Sequence, residues 1–300
     1  MKLENNKLIK DSLGDRVFTI VNILFSIMFL IVCSYPLIYV FSASISSPQA
    51  LISGKVWLFP VDLSLEGYKA VVQYSKVWTG YGNSLFYTIV GTAINLVLTI
   101  AAAYPLSRKD LKGKNFIMLM FTFTMIFSGG MIPSYLLVNN LGLINSRWAL
   151  LIPNAMSVYN VIVTTTFFKS NIPDELLESA KLDGCTDLRF LSSIVLPLSG
   201  AIIAVMTLFY SVSHWNSYFD AMMYISDPKK FPLQIVLREI LLLNTASELT
   251  TGLQDENARL YLNELLKYSL IIVASVPLLL LYPFVQKYFV KGVMIGSIKG

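Results

Sequence analysis

Residues 178–184 read Glu-Ser-Ala-Lys-Leu-Asp-Gly, and ten residues further on, 194–197 read Ile-Val-Leu-Pro. This polar stretch lies between two long apolar runs. Leu176, Leu177, Ala180 and Leu182 fall at helical spacing, and Pro173 suits a first turn, where its missing N–H costs nothing. Gly184 can end that helix, because glycine enters the left-handed conformation without a steric penalty. Thr186 or Asp187 can cap a second short helix running to Leu196, after which Pro197 restarts the chain. The expected object is a short helix-turn-helix outside the bilayer, a docking knob between two membrane helices.

Composition points the same way. Of 300 residues, 55% are hydrophobic and 14% charged, with a mean hydropathy of +0.63. Soluble domains are about one quarter charged, so this is a membrane protein by composition. There is one His and two Cys, with Cys33 in the first apolar run and Cys185 in the polar stretch, so neither a disulfide framework nor a zinc spacing is present. The net charge of +5 is explained by the loops described next and gives no support for nucleic-acid binding.

The fold class read from this pattern is an all-α polytopic membrane protein with six transmembrane helices, at roughly 17–42, 83–106, 116–137, 148–168, 198–223 and 267–286. The first run is too long for a signal-peptide core of about 7–15 residues and reads as a retained helix. Residues 1–16, 107–115, 169–197 and 287–300 carry fourteen of the 23 Lys and Arg residues, which places both termini and the 178–197 stretch in the cytoplasm. The chain thus divides into a cytoplasmic N-terminus (1–16), a first helix with an extracytoplasmic segment (17–82), a core (83–286) and a cytoplasmic tail (287–300). Within the core, 170–197 is a cytoplasmic loop and 224–266 an extracytoplasmic one. The latter holds an apolar run, Leu233–Leu243, too short to cross a bilayer, read as a re-entrant or interfacial helix.

Three spans carry uncharged polar stripes. Thr88, Thr92, Asn95 and Thr99 share one helix face; Asn154, Ser157, Asn160 and Thr164 form a second stripe, and Thr207, Ser211, His214 and Tyr218 a third. Such stripes suit a neutral, hydroxyl-rich cargo such as a sugar, and equally serve as interhelical glue. Thr92, Asn95, Ser157, Asn160, Ser211, His214 and Tyr218 are the candidate cargo path. His214 reads as structural or cavity-lining rather than as a proton relay, because the spans offer little else that ionises. No Gly-x-x-x-x-Gly-Lys-Ser/Thr loop, catalytic triad, paired carboxylates or metal-ligand set stands out, so the chain is expected to be no enzyme, with no catalytic residues, no metal and no cofactor of its own.

The spacing Glu178-x-Ala180, then Gly184, then Ile194-x-Leu196-Pro197 resembles the "EAA" loop of ATP-binding-cassette (ABC) importer permeases, with Ser179 in place of the middle alanine. The segment 64–68 with Asn83-Ser84-Leu85 resembles the entry to the same permease core. The end of the chain, from Tyr282 to Gly300, resembles the tail of the MalG-related, LplC/YtcP-like branch of carbohydrate-uptake permeases. The resemblance covers about residues 80–300. It implies the type I importer permease fold and a function in binding-protein-dependent sugar import, oligosaccharides above all, across the bacterial cytoplasmic membrane. It further implies a second, different permease, two ATPase subunits that hold ATP and Mg, and an extracytoplasmic solute-binding protein. Residues implied in ATPase coupling are Glu178, Ser179, Ala180, Leu182, Asp183, Gly184, Ile194, Leu196 and Pro197, with Ala180 and Leu182 filling the apolar part of the ATPase groove. The tail, with Gly296, Ser297, Lys299 and Gly300, is implied to reach the ATPase. Glycines at 292, 296 and 300 suit an extended strand entering a cleft, or else a basic segment lying on an anionic leaflet. Two alternatives stand beside this reading: an ABC permease for amino acids or peptides, and a secondary carrier driven by an ion gradient.

Overall fold

In a computed structural model the described residues are 12–243 and 256–297. All regular structure among them is helical. The helices cluster as two units, residues 1–71 with 248–272 and residues 72–247 with 273–300.

In the first unit, α1 (Leu13–Ser44) starts at a capping box in which Ser12 and Asp15 satisfy each other's backbone N–H. Its apolar surface is exposed as far as Phe41, as suits a helix solvated by lipid. Two short helices follow, α2 (Pro48–Ile52) and α3 (Glu66–Gln73). A Cβ on Gly67 would run into Leu265 and Ser269, so this glycine permits a close helix approach. Ser44 anchors the packing, its Oγ 2.9 Å from Tyr68 Oη and its carbonyl accepting from Ser269 Oγ.

The second unit is built around α4 (Ser75–Ser107), whose face Asn83, Ser84, Thr88, Thr92, Asn95 and Thr99 is buried. Next come α5 (Lys114–Ile126), α6 (Met131–Asn140), α7 (Trp148–Leu151) and α8 (Val158–Asn171). The 178–197 stretch supplies α9 (Asp174–Leu182), α10 (Asp187–Phe190), a π turn (Leu191–Val195) and α11 (Leu196–Leu198). Then follow α12 (Gly200–Trp215), α13 (Phe219–Tyr224) and α14 (Leu233–Leu243), and α15 (Glu256–Ser297) belongs to the first unit up to Ile272 and to the second from Val273.

Among the described residues three helices are long and apolar enough to cross a membrane: α1, α4 and Glu264–Pro283 within α15. Two bent pairs raise the number to five, α5 with α6 at 112° and Asp187–Leu198 with α12 at 83°. This corrects the expectation of six continuous spans. The expected span 116–137 breaks at Phe127–Gly130, where Gly130 takes φ +89, and the expected span 198–223 ends at Trp215. The expected span 148–168 breaks between α7 and α8, and α8 has only 14 residues, about 21 Å at 1.5 Å each. Pro153 sits in that break and has no N–H to continue a helix.

Segment 228–243 is pinned rather than loose. Asn83 donates to the carbonyls of Lys229 and Phe231, Tyr87 Oη donates to that of Lys230, and Leu233 N–H donates to Ser84 Oγ. Leu233, Ile235, Val236 and Ile240 are buried, so α14 is a packed helix and not an amphipathic helix resting on a surface. The expected extended tail is helical through Ser297, since isolated glycines cost a helix only about 1 kcal/mol each. Lys299 and Gly300 lie outside the described residues.

Candidate docking loop and cargo cavity

The 178–197 stretch forms the helix-turn-helix its spacing predicts. Pro173 holds the N-cap of α9, and Asp174 and Glu175 occupy the first turn, where the helix dipole favours negative charge. At the other end Gly184 has φ +72; its N–H donates to Lys181 O and that of Cys185 to Ala180 O, which is the Schellman pattern. Thr186 Oγ1 accepts from Arg189 N–H and starts α10. The second helix then departs from the simple expectation. Leu196 N–H donates to Leu191 O, one residue further back than in an α-helix, immediately before Pro197. Proline cannot donate to, and sterically displaces, the carbonyl four residues back, and a π turn absorbs that misfit.

The candidate coupling residues separate into two groups. Glu178, Ser179, Leu182, Asp183, Gly184 and Pro197 are exposed. Leu182 is 90% exposed, and Leu188, which the sequence reading passed over, is 80% exposed on the other side of the turn. Ala180 points the other way. It is buried against a core containing Tyr104, Phe168, Phe190 and Val195, with Leu177 and Ile194 packed on the same core, while Leu196 is half-buried. Ala180 therefore seats α9 on its own protein and is not free to fill a partner's groove, a correction that follows from the helical face it shares with Leu177. The apolar knob is Leu182 with Leu188.

A feature missed in the sequence holds this knob. Arg108 is 11% exposed and makes a paired contact with Asp110 (Nε–Oδ1 3.0 Å, Nη2–Oδ2 2.7 Å) while Nη1 reaches Asp187 Oδ1 at 2.9 Å and Tyr104 Oη at 2.8 Å. Lys109 pairs with Asp174 at 2.5 Å, and Asp110 also takes Lys181 at 3.3 Å. Arg108, and then Lys181, holds the Asp110 carboxyl well below the usual carboxylate range. In the sequence Arg108 and Lys109 counted only as inward-side charge, because their partners in the 178–197 stretch and at its start, Asp187 and Asp174, lie 79 and 65 residues away.

The polar stripes meet at a different place. A cavity of about 450 Å³ is lined by Asn95, Asn154, Ser157, Tyr210, His214, Tyr218 and Asp220 among others. Asn95 Nδ2 donates to Asn154 O at 2.8 Å, which turns Oδ1 toward His214 Nε2, also 2.8 Å away. The network thus places the His214 proton on Nε2. A Cβ on Gly91 would collide with the His214 ring, so this glycine is what lets the histidine come so near. Ser157 N–H donates to Tyr210 Oη and Asn154 Nδ2 to Asp220 Oδ2 at 2.7 Å. The break between α7 and α8 is therefore satisfied by side chains at a cavity, the setting in which irregular backbone is tolerated at membrane depth. Of the candidate cargo path, Asn95, Ser157, His214 and Tyr218 line this cavity. Thr92 and Ser211 instead bond each other at 3.2 Å between α4 and α12, and Asn160 is buried on α8 away from the lining. Asp220 is the one charged group among the described residues lining the cavity.

No protein-family model matches the chain. Over 291 residues it is 40% identical to the polygalacturonan/rhamnogalacturonan transport system permease protein YtcP of Bacillus subtilis, covering 95% of this chain and 99% of that protein. Protein LplC of the same organism is 41% identical over 287 residues, 96% of each chain. The chain belongs to the ABC permeases of carbohydrate import. The permease also aligns with a solved structure of a bacterial ABC transporter involved in the import of the acidic polysaccharide alginate. The TM-score is 0.87 at 36% identity, over 93% of this chain and 99% of that one. Its all-helical build matches an ABC importer permease, and it is a multi-pass membrane protein and a transport subunit.

Proposed function

We propose that this permease is one of two different membrane subunits of an oligosaccharide importer of the type I fold. The observation that carries the reading is the exposed Leu182–Leu188 knob, bracketed by Glu178 and Asp183 and turned by Gly184. Two separate ATPase subunits, holding ATP and Mg, take up this knob in an apolar groove, and Glu178 makes a charge-assisted contact with a basic group there. ATP closure draws the docking loops together, and the two permeases rock between inward- and outward-facing states around the midplane cavity. An extracytoplasmic binding protein delivers the cargo, and carbohydrate hydroxyls meet Asn95, Asn154, Tyr218 and Asp220. Six crossings with both termini in the cytoplasm accommodate this arrangement if α7 and α8 count as one broken span. The tail beyond Tyr282 reaches toward the ATPase as a helix extension.

The test is ATP hydrolysis and sugar uptake by the complete importer in lipid, with wild-type and Gly184→Glu permease side by side. A side chain at φ +72 strains the backbone by about 1–2 kcal/mol, and the new carboxylate sits at the knob's turn. The expected result is normal membrane insertion with loss of the ATP hydrolysis that loaded binding protein stimulates. Uptake that follows an ion gradient, with no ATPase in the complex, would replace this reading with a secondary carrier.

A further inference from the structure

Three consecutive residues leave the end of α4, and each clasps a different part of the docking loop. Lys109 takes Asp174 at the start of α9, Asp110 takes Lys181 at its end, and Arg108 takes Asp187 at the start of α10. Apart from them, the loop is joined to the rest of the chain by the apolar core in which Ala180, Phe190 and Val195 pack with Tyr104 and Leu106 of α4, which is non-directional, and by its two ends at Ile172–Pro173 and the 83° bend near Ser199, with Gly184 as a further joint between its two helices. The three contacts span all of these joints. They end on the three residues directly after α4, whose Asn95 lies 12 residues, about 18 Å, before Ser107 and holds both the α7–α8 break and His214 at the cavity.

We propose that Arg108-Lys109-Asp110 is a clamp that makes the docking loop and α4 move as one body, passing the ATPase stroke to the cargo cavity. The proposal rests on the importer reading above and adds the route by which that reading works. Within the clamp the contacts are unequal. Arg108 is nearly buried, stacks on Tyr104 at 5.7 Å and grips two carboxylates, so its bonds are strong and specific. Lys109 is 82% exposed and makes a screened surface pair that holds little. Arg108 and Asp187 are positioning residues, since neither meets cargo or ATP.

The experiment uses the complete importer in proteoliposomes, with binding protein loaded from a radiolabelled mixture of galacturonan and arabinan oligosaccharides. Uptake per ATP hydrolysed is compared for wild type, Arg108→Gln, Asp187→Asn and the double variant. A lost clamp leaves stimulated ATP hydrolysis within about twofold of wild type while uptake per ATP falls about tenfold in Arg108→Gln and about threefold in Asp187→Asn. The double variant is no worse than Arg108→Gln, because the two act through one contact. Arg108→Lys keeps the charge without the fork and recovers part of the ratio. Should Arg108→Gln fail to accumulate in the membrane, Asp187→Asn decides alone, since that carboxylate is 65% exposed. Wild-type uptake per ATP in the variants, or losses that multiply in the double variant, overturns the clamp. Absence of stimulated ATP hydrolysis in the wild-type complex overturns the importer reading, and the clamp with it.

Discussion

The candidate docking loop and the candidate cargo cavity solve the problem of placing polar groups in opposite ways. The loop carries full charges at the protein surface, and Asp174, Lys181 and Asp187 are matched by ions of a neighbouring loop. The cavity is assembled mainly from neutral groups, with Asn95, Asn154, Ser157, Tyr210 and His214 bonded across α4, the α7–α8 break and α12. Contacts of the first kind are individually weak where exposed and are screened by salt. Those of the second kind are costly to leave unmade where the groups are buried, as Asn95 and His214 are. Damage to the loop should therefore appear mainly as lost coupling, and damage around the cavity as lost stability.

The sharpest way to break that contrast is Asn95→Leu. It strands the Nε2–H of His214 and the carbonyl of Asn154 together, each at about 1–3 kcal/mol, so the variant should lose roughly 3 kcal/mol or more. Thermal unfolding of the solubilised complex reads this directly, and an unchanged melting temperature would show that the network contributes nothing. A smaller difference separates two glycines. Gly91→Ala must displace the His214 ring and should cost about 1–3 kcal/mol, whereas Gly184→Ala meets nothing within 4 Å and carries only the left-handed strain of about 1 kcal/mol. Equal melting temperatures would remove packing at Gly91 from the account. The smallest effect belongs to Lys109→Gln, where an exposed pair is lost. Neither melting temperature nor uptake per ATP should change measurably, and raising the salt should leave that result as it is. A clear loss there would mean that the surface pairs of the clamp matter as much as Arg108.

Much of the loop was legible because its determinants are local. Pro173, Gly184 and Thr186 fix helix ends within a few residues of themselves, and the Leu177–Ala180 face follows from a 3.6-residue period. The direction of that face was not legible: the same spacing allows Ala180 to meet a partner or its own core, and packing chose the core. The π turn before Pro197 depends on how the chain relieves one steric conflict, which spacing does not encode. At the cavity the polar stripes were visible, but not their division of labour. Thr92 and Ser211 became glue, whereas Asn95 and His214 became lining. That Asp220 lines the cavity was not legible, since its partner Asn154 is 66 residues away, on a break that a purely apolar count reads as a continuous span.

By itself the sequence determined that this is a helical membrane protein with a polar helix-turn-helix turned at Gly184, since hydropathy, charge and glycine's backbone freedom act residue by residue. Only the tertiary structure decided which residues stand on the knob, that three residues after α4 clasp it, and that a carboxylate sits among the neutral groups of the cavity. Each of these is an approach between segments distant in the chain, set by how the helices pack and not by the local preference of any one of them.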